Sequence, residues 1–234
     1  MNLMQFLTIA AGARSQPISR VATSSNSNTG VSSWSVALPT GFKAGDLLIL
    51  YLSTDTGGTK FASVPTGWTQ LIGEGITAPD GQCFQVMYRM ADGTETSITA
   101  ATFNTNDWTV ACECWRNVRK TGSINISGSN TNSSSNASPI VCASTGVTTT
   151  VPNTTVIYAV APDCLNSGVT VNFTAPPGFG GDFQSPTNTF SGSVSVANKQ
   201  FAAVGATGTL LGTLNLSSGN AGWLCAAIAL TPVP

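Results

Sequence analysis

Gly45-Asp46-Leu47-Leu48-Ile49-Leu50-Tyr51-Leu52-Ser53-Thr54-Asp55 sets six unbroken apolar or aromatic residues between a Gly-Asp turn and a polar exit. The run is too short for a typical helix and reads as a strand covered on both faces. Such a strand lies centrally in a sheet with another layer packed on it.

Outward from this strand, the chain reads as further strands with no convincing helical periodicity. Val31–Leu38 ends at Pro39, and Val64-Pro65-Thr66-Gly67-Trp68-Thr69 is a turn feeding a strand through Leu71 and Ile72. Phe84, Val86, Tyr88 and Met90 alternate with Gln85, Met87 and Arg89, as a half-buried strand requires. Ser97–Phe103 and Trp108–Trp115 follow. The polar run Thr23-Ser24-Ser25-Asn26-Ser27-Asn28 reads as loop. Residues 121–138, rich in Ser and Asn, read as a connector or exposed loop.

The second half echoes the first. Asn153–Val160 matches the central strand, with Tyr158 set against Tyr51; Pro176-Pro177-Gly178-Phe179 matches Pro65-Thr66-Gly67-Trp68; Trp223–Leu230 matches Trp108–Trp115. The offsets of 107, 111 and 115 residues drift as loop insertions in a diverged duplication would make them. The expected fold is all-β, an antiparallel jelly-roll-like β-sandwich built from two pseudo-repeats. Its parts are an N-terminal arm (1–28), a first half (29–120), the connector (121–138) and a second half (139–234).

Composition narrows the chemistry. Charged residues make up 8% of the 234 residues, against roughly 25% in ordinary soluble domains. The net charge of −1 argues against nucleic acid, which needs a basic stripe. Arg116, Arg119 and Lys120 cluster, and read first as a solvated strand end. A surface this poor in charge suits coverage by neighbouring subunits. No apolar run reaches the length of a membrane helix. Met1–Ala13 has a small-residue end like a secretion signal but no positive start, and is expected to be a first strand or contact arm.

Histidine is absent, which removes Ser-His-Asp and Cys-His nucleophile systems and the usual zinc sets. Cys112-x-Cys114 has no second pair at zinc spacing, and both thiols should share one strand face; Cys225 reads as a small core residue. The six cysteines outline no disulfide framework, as expected for synthesis in a reducing cytoplasm. Glu95 and Glu113 read as surface carboxylates, and no carboxylate pair is placed together by spacing. Turn-forming bonds explain Asp55, Asp80, Asp92 and Asp163, and Arg89 reads as a surface ion-pair partner. No catalytic residue, metal or cofactor is expected. Trp34 and Trp68, with Trp108, are weighed as a sugar-stacking platform against the core-packing reading, which the repeat match of Trp68 with Phe179 favours.

The order Gly45-Asp46-Leu47-Leu48, Val64-Pro65-Thr66-Gly67-Trp68-Thr69 and Tyr88-Arg89-Met90-Ala91-Asp92-Gly93-Thr94-Glu95 resembles a recurrent pattern in β-sandwich structural proteins of tailed bacteriophages and prophages. The ending Val147-Thr148-Thr149-Thr150 … Trp223 … Ala226–Pro232 is similar to the same proteins, so the resemblance spans about residues 29–232. It implies a virion component, either capsid decoration or fibre and tail-associated, assembled in the host cytoplasm. It further implies a homo-oligomer, a trimer favoured, touching major capsid or tail proteins. The apolar arm residues Leu3, Met4, Phe6, Leu7 and Ile9 are its expected assembly contacts. A module binding a host glycan is the alternative reading, and a secreted hydrolase the third.

Overall fold

The computed structural model describes residues 16–55, 62–75, 81–120, 124–164, 169–185 and 192–234. Among these there is no helix. The first repeat contributes β1 (Ser19–Val36), β2 (Leu47–Asp55), β3 (Thr69–Gly75), β4 (Gln82–Met90) and β5 (Ile98–Arg116). The second contributes β6 (Ile124–Ala137), β7 (Ile140–Ser144), β8 (Thr148–Thr149), β9 (Thr154–Cys164) and β10 (Val171–Thr174). It continues with β11 (Gly180–Ser185), β12 (Val194–Phe201), β13 (Gly205–Ala206), β14 (Leu210–Leu216) and β15 (Asn220–Leu230).

Duplication is visible in the strand order. One sheet runs β1-β5-β2-β4-β3 and the other β6-β15-β9-β12-β11, the same sequence of equivalent strands, antiparallel throughout. The sheets stack face to face: β1 lies against β11 and β3 against β6, equivalent contacts that an approximate twofold relation generates. The chain is therefore one sandwich with a sheet from each repeat.

Each central strand is buried on both faces, because each sheet carries a further layer outside. In β2, Leu47 through Leu52 have no exposed surface at all. Leu47, Ile49 and Tyr51 face the other repeat, packing with Ile157, Ala159 and Ala161 of β9. Leu48, Leu50 and Leu52 face outward into a second core with Trp34, Trp68 and Trp108. The outward residues of β9, Val156, Tyr158 and Val160, meet Trp223, Val171 and Leu214. Full burial of each large side chain is worth roughly 1.5–3 kcal/mol, so this strand alone anchors two cores.

The outer layers are made differently in the two halves. In the first, the long strands β1 and β5 bend through register shifts near Asn28 and Val31, and their far ends pair at Trp34–Ala100 and Val36–Ile98. In the second, separate strands do the same work as the sheet β10-β14-β7, with Leu210 paired to Ser144.

The structure departs from the sequence expectations at three places. Tyr51 and Tyr158 are not equivalent: Tyr51 faces the inter-repeat core and Tyr158 the outer one. Side-chain direction alternates along a strand, so the true match is Leu50 with Tyr158 and Tyr51 with Ala159, an offset of 108 residues. Residues 23–28 belong to β1, and 124–137 of the supposed connector form the edge strand β6 on β15. Both stretches lack an apolar pattern because edge pairing is made by backbone groups, which Ser and Asn supply as well as Val. The arm residues Leu3, Met4, Phe6, Leu7 and Ile9, and Asp80, expected at a turn, lie outside the described residues.

Candidate functional site

The tryptophans do not form a platform. Trp34 has no exposed surface, Trp68 retains 9% and Trp108 2%, all within the outer core of the first repeat. Trp68 is placed by a tight turn in which its N–H donates to Pro65 O at 3.1 Å, with Gly67 at φ 82°. Phe179 is placed identically, donating to Pro176 O at 3.0 Å with Gly178 at φ 77°. A positive φ at the third residue of such a turn is what glycine supplies at no steric cost.

A cation crosses each of these turns: Arg89 lies over Gly67 and the equivalent Lys199 over Gly178. The two copies have diverged. Arg89 pairs with Asp92 at 2.6 Å and Glu95 at 3.1 Å; the Glu95 side chain, expected at the surface, retains only 6% exposure, so just the Asp92 arm of this pairing is a surface contact. Asp92 also closes its turn by accepting the Thr94 N–H at 2.8 Å. Lys199 instead lies 5.2 Å from the centre of the Phe201 ring. The flanking clefts measure about 370 Å³ and 230 Å³.

Glu113 overturns its expected surface position. It has no exposed surface and faces the inter-repeat core beside Trp115 and Tyr51. Its carboxylate accepts bonds from Arg20 Nη1 (3.0 Å), Tyr51 Oη (2.9 Å) and Trp115 Nε1 (3.1 Å). The Arg20 guanidinium in turn lies against Gly181 of β11. Burial pushes the Glu113 carboxyl above its ordinary range, against the opposing pull of Arg20, Tyr51 and Trp115. Three donors and no open approach make this a structural carboxylate. Two further polar ties cross between the repeats: Gln82 Nε2 donates to Pro162 O at 2.7 Å, and Thr109 Oγ1 to Gly192 O at 2.7 Å.

The cluster of Arg116, Arg119 and Lys120 lines a cleft of about 450 Å³, joined there by Lys43. Four of the chain's nine Lys and Arg residues thus surround one depression. The chain reaches it twice: β5 exits through Asn117–Lys120, and the segment after β15 returns, with Val233 N–H donating to Asn117 O at 3.0 Å and Arg119 N–H to Thr231 O at 2.9 Å. Among the described residues Asp46 is the one carboxylate in the lining, and it is spent on Arg116, at 2.9 Å from Nε and 2.7 Å from Nη2. Burial acts to raise Asp46, but Arg116 and the Lys43 N–H more than offset it, holding the carboxyl below its usual range. A group depressed in this way stabilises above its unfolded value near 3.8, and the contribution is lost as pH falls through the folded value. Asp46→Asn is therefore expected to cost about 1 kcal/mol at neutral pH, a gap that closes in urea titrations below pH 3.8.

The thiols are not poised for chemistry. Cys112 and Cys114 do share one face, in the outer core of the first repeat, and Cys225 is buried in that of the second. Burial, with Asp46 alongside, pushes Cys114 up to about 12, and burial raises Cys112 and Cys142 as well. All three stay protonated at neutral pH. Among the described residues, no group of three or more metal-binding side chains occurs. Comparison with family models, with curated proteins and with solved structures finds no match for this chain.

Proposed function

We propose that this chain is a structural component of a bacteriophage virion, a capsid decoration or fibre subunit that acts by docking against other proteins. The observation that carries the reading is β6. This 14-residue edge strand holds no charged residue and no proline, and among the described residues it hydrogen-bonds to no strand other than β15, although β3 of the other sheet lies against it. Proteins that live as monomers blunt such edges with charges, prolines or short strands, because a bare row of N–H and C=O groups pairs with other chains. A surface with few charges and the sequence resemblance to phage sandwich proteins support the same reading. Partners on this reading are major capsid or tail proteins and further copies of the chain, in a virion put together in the bacterial cytoplasm. The glycan-binding alternative has less support, since Trp34 has no exposed surface and Trp68 retains only 9%.

Mass spectrometry of gradient-purified particles is expected to find the chain at a fixed ratio to the major capsid protein. Hundreds of copies mean decoration and a handful mean a fibre; absence from purified particles rejects the proposal. Deletion of residues 1–15, which leaves β1 whole, is expected to abolish incorporation while the protein still folds. Unchanged incorporation of that variant would remove the arm as the anchoring element.

A further inference from the structure

We infer that the basic cleft at the junction of the two repeats is a binding site for a phosphate-bearing ligand. The fold does not require its cations. The equivalent end of the second repeat places Val151, Thr154, Thr231 and Pro234 where the first has Lys43, Asp46, Arg116 and Arg119. There the turn is closed without charge, by Thr154 Oγ1 donating to Val151 O at 2.6 Å. In the first repeat, the Asp46 carboxylate closes it by accepting the Lys43 N–H at 2.9 Å. Two copies of one architecture thus differ in that a single copy has gathered basic side chains.

Within the cleft the cations divide into one that is held and three that are not. Arg116 is fixed by both oxygens of Asp46 and by Gly41 O at 3.0 Å. Lys43, Arg119 and Lys120 are exposed, and among the described residues none of their side chains has an ion-pair partner. Three positive charges around a depression with Val118 and Val233 on its wall call for a compact group carrying more than one negative charge. A phosphate meets that description, and the Arg119 fork suits its oxygens; a lone carboxylate leaves most of the field unspent. The cleft has room for the sugar or polyol that carries the phosphate. Because the charge is gathered at one depression instead of along a stripe, the site matches a single phosphate group better than a nucleic-acid backbone.

The test is a titration of the full-length, ¹⁵N-labelled protein with inorganic phosphate at low salt, read at the amide signals of Gly45, Val118 and Val233. Saturable shifts are expected with phosphate, and not with acetate at matched ionic strength. A unit-charge contact near 4 Å in water is worth roughly a fivefold change in affinity, so Lys43→Ser/Arg119→Ser/Lys120→Ser should weaken binding by roughly a hundredfold. All three residues are exposed, and Arg116 with its Asp46 partner is left in place, so an unchanged thermal midpoint is expected to show that this variant folds. Glycerol phosphate and a glycerol-phosphate polymer, titrated in parallel, separate a small free ligand from a phosphorylated surface polymer, which gains through repeated contacts. Equal shifts with acetate, or phosphate binding unaltered in the triple variant, would overturn the inference.

Discussion

Glu113→Ala is expected to lower the unfolding free energy by about 3 kcal/mol, the range for removing one partner of a buried ion pair. The substitution leaves the Tyr51 hydroxyl and the Trp115 indole N–H without their acceptor in a fully buried setting, and Arg20 without its carboxylate. Each orphaned buried donor costs roughly 1–3 kcal/mol, which outweighs the gain from no longer desolvating the acid. Urea unfolding at pH 7 measures the loss; less than about 1 kcal/mol would mean that water reaches the site or that the donors find other acceptors. A pH series on Glu113→Gln separates charge from hydrogen bonding. Because the folded-state value is raised, the acid's contribution is fully present below its unfolded value near 4.5 and is lost as pH rises through the folded value. The stability gap between the wild type and Glu113→Gln should therefore narrow from acid to neutral pH. A gap that widens would mean that Arg20, Tyr51 and Trp115 together outweigh desolvation.

The contrast between Glu113 and Leu47–Leu52 shows what was legible in the chain. An apolar run between turn signals can be satisfied only by burial on both faces, so β2 declared itself and implied both the partner sheet and the outer layers. The Pro-Thr-Gly-Trp and Pro-Pro-Gly-Phe turns were equally legible, because glycine at positive φ and the aromatic after it are local requirements. Glu113 gave no such signal. Its same-face neighbours in the strand, Ala111 and Trp115, are apolar and hinted at a covered face, but the acid outweighed that hint because two of its partners, Arg20 and Tyr51, lie on other strands. The Tyr51–Tyr158 match failed for a related reason: identity of residue type outweighed a one-residue slip that only the sheet faces reveal. The basic cleft was half visible, as three cations in five residues. Lys43 joined it only because β2 and β5 are adjacent strands.

Gly146→Ala is expected to be the most damaging single methyl addition among the described glycines, costing more than about 3 kcal/mol. A Cβ built there falls 1.9 Å from the carbonyl oxygen of Gly208 and 2.6 Å from Thr207 Oγ1, at φ 76°. The first clash is with backbone, so rotation of a side chain cannot relieve it. The backbone it would displace is itself bonded: Thr207 N–H donates to Val147 O at 2.8 Å, and Thr207 Oγ1 accepts the Val147 N–H at 2.9 Å. Gly208→Ala is the control, since a Cβ there meets nothing within 4 Å while φ is a similar 71°. It should cost only the conformational strain of a left-handed alanine, about 1 kcal/mol. The difference between the two variants in thermal or urea unfolding then isolates the steric conflict. Equal losses would mean that the 146 and 208 segments are not in contact in solution. The large effect belongs to the second repeat in particular. There the outer layer is made of short separate strands, with β8 and β13 joined close to this contact, whereas in the first repeat it continues directly from β1 and β5. Spreading apart at Gly146 should therefore loosen the layer over Tyr158 and Trp223 while the inter-repeat core beneath stays packed, and hydrogen exchange in β7 and β14 is expected to rise before that in β9 and β15.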